Sequence, residues 1–141
     1  INIHKYILGN AITYKTREKY TKILIDVPCS SSGTLRKNPD IKWGLEEKDI
    51  NIFTKLQYNI LNNLSKYLIC NGEIMYSTCS IFKEENEEII NKFLSKNSNF
   101  SISPYKENKL KKYINKLGGL TILPVSGEYE GVFAVKMIKN D

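Results

Sequence analysis

Ile23-Leu24-Ile25-Asp26-Val27-Pro28-Cys29-Ser30-Ser31-Ser32-Gly33 runs from an apolar block into a carboxylate, a proline, a thiol, three hydroxyls and a glycine. Ile23, Leu24 and Ile25 form the short apolar, β-branched block expected of a buried parallel strand. The pattern predicts a strand over 23–27. Pro28 has no N–H to offer a ladder, so pairing should stop there. In open α/β sheets, ligands bind just past the carboxyl ends of the strands. Asp26 and Cys29 stand at that position.

Residues 73–77, Glu-Ile-Met-Tyr-Ser, repeat the arrangement as a second strand, with Thr78-Cys79-Ser80 beyond it. Two strands thus each deliver a cysteine at their exit. If the strands are parallel neighbours, both thiols open into one crevice, with Asp26 on its wall.

Between them, residues 28–44 read as a long loop, of the kind that usually carries function in a compact domain. A helix is expected over 45–69, where Ile52, Phe53, Leu56, Ile60, Leu64 and Leu68 recur at helical spacing. Its acidic first turns, with Glu46, Glu47 and Asp49, suit the positive end of the helix dipole. Gly72 is expected to close it in a left-handed position. Trp43, ahead of this helix, reads first as core, with stacking on a base as the alternative. A second helix is expected over 84–96, its inward face made by Ile89, Ile90, Phe93 and Leu94.

At the chain start, residues 4–8 allow a short strand turning at Gly9-Asn10-Ala11. Near the end, a short helix is allowed around 109–117. Residues 120–123 and 132–138 form two last strands, joined through Pro124, Gly127 and Gly131 as a hairpin. Strand, helix, strand, helix, strand, strand is an α/β order with an antiparallel finish.

The 141 residues suit one domain, and a composition 41% hydrophobic and 26% charged is that of a globular protein with a real core. No apolar run approaches the roughly 18 residues that span a bilayer, so no membrane partner is expected. The net charge of +6 comes almost wholly from lysine, Arg17 and Arg36 being the arginines. Those lysines read as solvated surface, with a nucleic-acid-facing surface as the alternative. The cysteines are Cys29, Cys70 and Cys79, with no CxxC pair and one histidine, His4, far away; no metal is expected. Free thiols in an intracellular, reducing compartment follow. Cys70, in the apolar run Tyr67-Leu68-Ile69-Cys70, is expected to be buried and structural.

The stretches DVPCSSSGTLRKNPDIKW at 26–43 and YSTCSIFKEENEEI at 76–89 together closely resemble the Nop/Sun family of RNA cytosine-5 methyltransferases. Pro28-Cys29 and Thr78-Cys79 match its two cysteine motifs. Glu85-Asn86-Glu87 matches a family tripeptide, and Pro124 with Gly131-Val132-Phe133-Ala134 its C-terminal strand motif. The resemblance covers about residues 9–138 and departs at Lys83, where the family usually has proline. The fold it implies is a Rossmann-like methyltransferase sheet. The chain reads as the C-terminal half, residues 1–141 being part of a single catalytic domain whose glycine-rich cofactor loop would lie upstream of Ile1.

The resemblance further implies S-adenosylmethionine as cofactor and RNA, rRNA or tRNA, as substrate. It assigns the nucleophile to Cys79 and assistance in release to Cys29. Asp26 is expected to meet the cytosine or the cofactor, and Asn10 falls near the family's adenine-contacting aspartate. Pro28 would shape the base pocket, and Arg36, Lys37 and Lys42 would meet phosphates. The expected partners are RNA and either the missing half of the domain or a second chain paired on an open sheet edge. Two other readings are a noncatalytic RNA-binding module that keeps the fold and, more weakly, a thiol redox protein.

Overall fold

The computed structural model describes residues 5–125 and 129–141. Among these residues five strands make one sheet. They are β1 (Tyr20–Asp26), β2 (Leu68–Thr78), β3 (Phe100–Ile102), β4 (Leu120–Ile122) and β5 (Val132–Lys139). The spatial order is β1-β2-β5-β3, with β4 also paired to β5. Three helices accompany them: α1 (Ile41–Gly44), α2 (Glu47–Leu64) and α3 (Glu87–Lys96). β1 and β2 are parallel neighbours, with Asp26 opposite Ser77. β3 and β4 both run antiparallel to β5, and β5 runs antiparallel to β2.

The parallel pair and the antiparallel finish are as the sequence predicts. The hairpin of the last two strands also forms, with Leu120 opposite Ala134; Gly127, in its connection, lies outside the described residues. Strand β1 begins three residues earlier than its apolar block, because Tyr20 pairs with Leu68.

The core lies on one face of the sheet. Ile25, Val27, Ile74, Tyr76, Phe133, Val135 and Met137 point into it, and α2 and α3 cover them with Ile60, Leu61, Ile89, Ile90 and Phe93. The helices stay on this face because their apolar positions recur at three and four residues. Asp49 Oδ2 accepts from Glu46 N at 3.0 Å and caps the start of α2.

The other face is more open, although Ala134 on it is buried. Leu24 is 69% exposed, so β1 is not buried on both faces as its apolar block suggests. Lys22, Leu24, Glu73, Met75 and Lys136 line an open hollow there. Among the described residues β1 pairs only with β2, and its outer edge is free.

Other expectations are corrected. The helix predicted over 45–69 stops at Leu64, and a 3-10 turn over Ser65–Tyr67 leads directly into β2. Leu68 is buried, as a strand residue rather than as part of the helical stripe. The left-handed residue is Asn71, at φ 58, within an irregularity between the 20–68 and 22–73 pairings. Gly72 serves close approach instead, since a Cβ there would meet Leu68 Cγ at 2.8 Å. Cys70 is exposed, and its thiol donates to Asp141 Oδ1 at 2.7 Å.

The loop over 28–44 contains a 3-10 turn, Ser32–Thr34, and α1. Trp43 lies on α1 and is 81% exposed, not core. Residues 84–86 precede α3 rather than opening it, and the helix placed around 109–117 is a 3-10 segment over Asn108–Tyr113. Residues 5–8 form no strand; His4 lies outside the described residues. Strand β3, in a polar stretch with two alternating apolar residues, is created by pairing with β5.

Leu61 and Ile90 are fully buried where α2 and α3 share the core. Leu61→Ala should lower unfolding free energy by about 2–5 kcal/mol and Ile90→Val by about 0.5–1.5 kcal/mol. Urea unfolding of the purified protein measures both. Equal, near-zero losses would contradict this packing.

Candidate active site

The strand ends deliver the thiols as the spacing requires. Parallel pairing in register brings Asp26 opposite Ser77, and Val27 N still donates to Ser77 O at 3.2 Å. Pairing then ends at Pro28. Beyond it Cys29 Sγ and Cys79 Sγ lie 3.2 Å apart, although 50 residues separate them in sequence. The absence of a CxxC motif therefore did not keep the two sulfurs apart. Asp26 lies at the same end of the sheet, on the face it shares with Ser77, whose hydroxyl donates to Asp26 Oδ1 at 3.0 Å. It is exposed and free to meet a ligand.

The two thiols are not equivalent. Burial, then the hydrogen bond with Cys79, pushes the Cys29 thiol up to about 12. Cys29 thus keeps its proton at neutral pH and presents a neutral S–H to its neighbour. Cys79 Sγ also lies 3.4 Å from Ser31 Oγ. Ser31 is held at φ 57, the left-handed region that costs a residue with a Cβ.

A polar seam joins the two cysteine loops. Gly33 N donates to Cys79 O at 2.8 Å, and Ile81 N to Ser32 Oγ at 3.0 Å. Ser30, Ser32 and Ser80 hydroxyls lie 3.1–3.2 Å from one another. Beneath them the fully buried Glu85 accepts from Ser30 N at 2.9 Å, from Ser30 Oγ and Ser80 Oγ at 2.5 Å, and from Gln57 Nε2 at 2.8 Å. Asn86 anchors the strand end, accepting from Thr78 Oγ1 at 2.6 Å and donating to Ser80 O at 2.9 Å.

A third loop closes on the same point. Gly131 N donates to Gly33 O at 2.8 Å. A Cβ on Gly33 would stand 2.6 Å from Cys79 O and 2.7 Å from Gly131 Cα, so any side chain there would push the loops apart. Glu130 holds the seam from outside, pairing with Arg36 Nη2 at 3.1 Å and Lys37 Nζ at 3.4 Å. Arg36 foremost, with Lys37, holds the Glu130 carboxyl below its ordinary range.

Of the other expected site residues, Pro28 is exposed beside Cys29, and its carbonyl accepts from Gln57 Nε2 at 3.0 Å. Lys42 is exposed, its ammonium 5.0 Å from the Trp43 ring centre. Asn10 is not brought to the cleft. Its Oδ1 accepts from Ile12 N at 2.9 Å, closing its own turn, and that turn is held on α2 by Asn63, which donates to Ala11 O. That end of α2 borders the start of β1, whereas the thiols lie past the end of β1.

Sequence reasoning missed the roles of Glu85, Gln57 and Glu130. One signal for Gln57 was visible: it falls on the apolar stripe of α2, between Phe53 and Ile60–Leu61, where a polar residue needs a partner. Among the described residues no group of His, Cys, Asp and Glu forms a metal cluster, and no helix is long and apolar enough to cross a membrane.

The family model described as 16S rRNA methyltransferase RsmB/F matches residues 2–138. Ribosomal RNA small subunit methyltransferase B of Enterobacter sp. (strain 638) is 36% identical over 127 residues, 87% of this chain and 27% of that protein. Among solved structures, a methyltransferase homolog protein from Pyrococcus horikoshii matches with a TM-score of 0.68 and 27% identity, over 86% of this chain and 40% of that one. NSun6 from Pyrococcus horikoshii, solved with SFG, shares the fold with a TM-score of 0.80 at 23% identity, covering 97% of this chain and 35% of its own. The chain thus spans about a quarter of the length of the curated relatives it matches.

Replacing Glu130 tests the outer clasp of the seam. A carboxyl depressed by its partners stabilises the fold above its ordinary value of 4.5, and that contribution fades as pH falls through the depressed value. The wild type should therefore melt above Glu130→Gln at neutral pH, with the gap closing in acid and shrinking in high salt. A gap independent of pH would place the effect elsewhere.

Proposed function

The chain belongs to the 16S rRNA methyltransferase RsmB/F family, and on that premise we propose that it carries the two-thiol centre of an RNA cytosine-5 methyltransferase acting on rRNA or tRNA. The 141 residues read as the C-terminal part of one catalytic domain. The observation that carries the proposal is the 3.2 Å approach of Cys29 and Cys79 beyond two adjacent parallel strands.

C5 of cytosine is too weak a nucleophile to take a methyl group unaided. A thiolate adding at C6 makes C5 an enamine carbon, one hard step divided into two easier ones. Cys79 is the nucleophile in this reading. The neutral Cys29 S–H beside it can donate to the sulfur of Cys79 but does not compete as a thiolate at neutral pH. Ser31, whose hydroxyl can rotate to donate, supplies a second hydrogen bond to the ionised sulfur. After methylation the C5 proton passes to solvent water, its electron pair re-forms the C5–C6 double bond, and the C6–S bond breaks with its pair returning to sulfur. The S–H of Cys29 then stabilises the departing thiolate, and this is how Cys29 assists release.

Asp26, exposed at the strand end, accepts from the exocyclic amine of the cytosine or from the cofactor. S-adenosylmethionine supplies the methyl group. Of the residues assigned to it, Asp26 fits and Asn10 does not, since Asn10 is spent on its own turn. The exposed rings of Pro28 and Trp43, with Lys42, border the path of an incoming strand. Arg36 and Lys37 meet phosphate only by sharing or releasing Glu130. A cytosine inside a duplex cannot reach such a centre, so the target base is unpaired or flipped.

The test uses the full-length protein with RNA and S-adenosylmethionine on a denaturing gel. Cys79→Ala should abolish both methylation and the covalent RNA adduct. Cys29→Ala should accumulate the adduct, because release is slowed. The opposite pattern would exchange the two roles. Wild-type protein that binds RNA yet neither methylates it nor forms an adduct would favour a binding module that keeps the fold.

A further inference from the structure

The residues that follow the two cysteines share one anchor, which the proposed chemistry does not use. Ser30 comes directly after Cys29 and Ser80 directly after Cys79. Both hydroxyls donate to Glu85 Oε2, and Ser30 N donates to Glu85 Oε1. The carboxylate therefore grips each loop one residue away from its thiol. Gln57 Nε2 donates to Glu85 Oε1 and to Pro28 O, tying the anchor to α2 and to the residue before Cys29. Tyr76 donates to the Glu85 carbonyl at 2.7 Å and fixes the backbone of the anchor against β2. Gln57 Oε1 is buried without a partner among the described residues, so the amide is turned for the sake of the carboxylate. A buried carboxylate that only braced α3 would need none of these grips on both loops.

We propose that Glu85 is the positioning residue of the two-thiol centre, setting the distance between Cys29 and Cys79 by holding Ser30 and Ser80 on one side chain. This rests on the reading of the two cysteines as the reacting pair. Glu85 touches neither sulfur and acts through the loop backbones. The reach of the side chain, rather than its charge, sets that distance. One methylene fewer would draw Ser30 and Ser80 down, or leave them without their acceptor, and the thiols would part. The S–H···S contact and the burial of Cys29 would then weaken together, and both of these hold the Cys29 proton in place.

The test needs neither RNA nor cofactor, so it fails or succeeds apart from the adduct assay. Full-length wild type, Glu85→Gln and Glu85→Asp are treated with dibromobimane, which bridges two nearby thiols, and the Cys29–Cys79 cross-link is mapped by mass spectrometry. The pH dependence of Cys29 alkylation by iodoacetamide is measured in parallel, with melting temperatures for all three. Glu85→Gln keeps the reach and can still accept from Ser30 N while its amide donates to a serine hydroxyl, so it should behave like the wild type within about twofold. Glu85→Asp should cross-link at least about tenfold more slowly, with the alkylation midpoint of Cys29 shifted to lower pH. Glu85→Asp that is merely less heat-stable, with cross-linking and pH profile unchanged, would overturn the proposal and leave Glu85 a structural brace. Glu85→Gln failing as badly as Glu85→Asp would also overturn it, because reach would not be the deciding property.

Discussion

One buried carboxylate holds the cysteine loops. An ionic group without water is costly unless its lone pairs are met. Glu85 meets that condition with four donors, drawn from the first cysteine loop, the second cysteine loop and α2. Hydrogen bonds to such a group are stronger than neutral ones, and removing a partner leaves an unmet buried charge. The two loops and the helix are therefore hard to move separately. That is the property a centre made of groups from two distant segments requires.

The same constraint appears in the backbone as a lack of room. Gly33 and Gly131 approach so closely that neither has space for a Cβ, and Gly33 is bonded on both sides, to Cys79 O and from Gly131 N. Three loops from three strands thus meet at one glycine. Arg36 and Lys37 close over this point onto Glu130. The clasp is partly exposed and weak by comparison with the buried seam.

The sheet is lopsided. Its α2 and α3 face carries most of the core, while on the other the exposed Leu24 and the half-buried Met75 lie between Lys22, Glu73 and Lys136. The lysines bracket the apolar residues and bridge to Glu73 from both neighbouring strands. Of these charges Lys22 stands on β1, the strand with a free outer edge, where a charge discourages indiscriminate pairing.

The sequence by itself determined the strand–helix–strand unit around β1, α2 and β2, the helix α3 and the final hairpin. Each of these has an apolar pattern whose period is set by its own backbone, and no distant residue is needed to read it. Two cysteine motifs in order were equally legible. Tertiary structure decided the rest. Leu68 continues the helical stripe of α2 in pattern, yet it joins β2 because Tyr20 offers it a strand partner. Phe100–Ile102 becomes a strand only because β5 has a free edge to fill. Cys70 and Trp43 are exposed because, among the described residues, no other element buries those positions, which no local period reports. The 3.2 Å between two sulfurs, and the carboxylate under their loops, arise from contacts across about 50 residues of chain. A linear pattern says which side of an element is apolar; which distant group meets it is set by closing the fold.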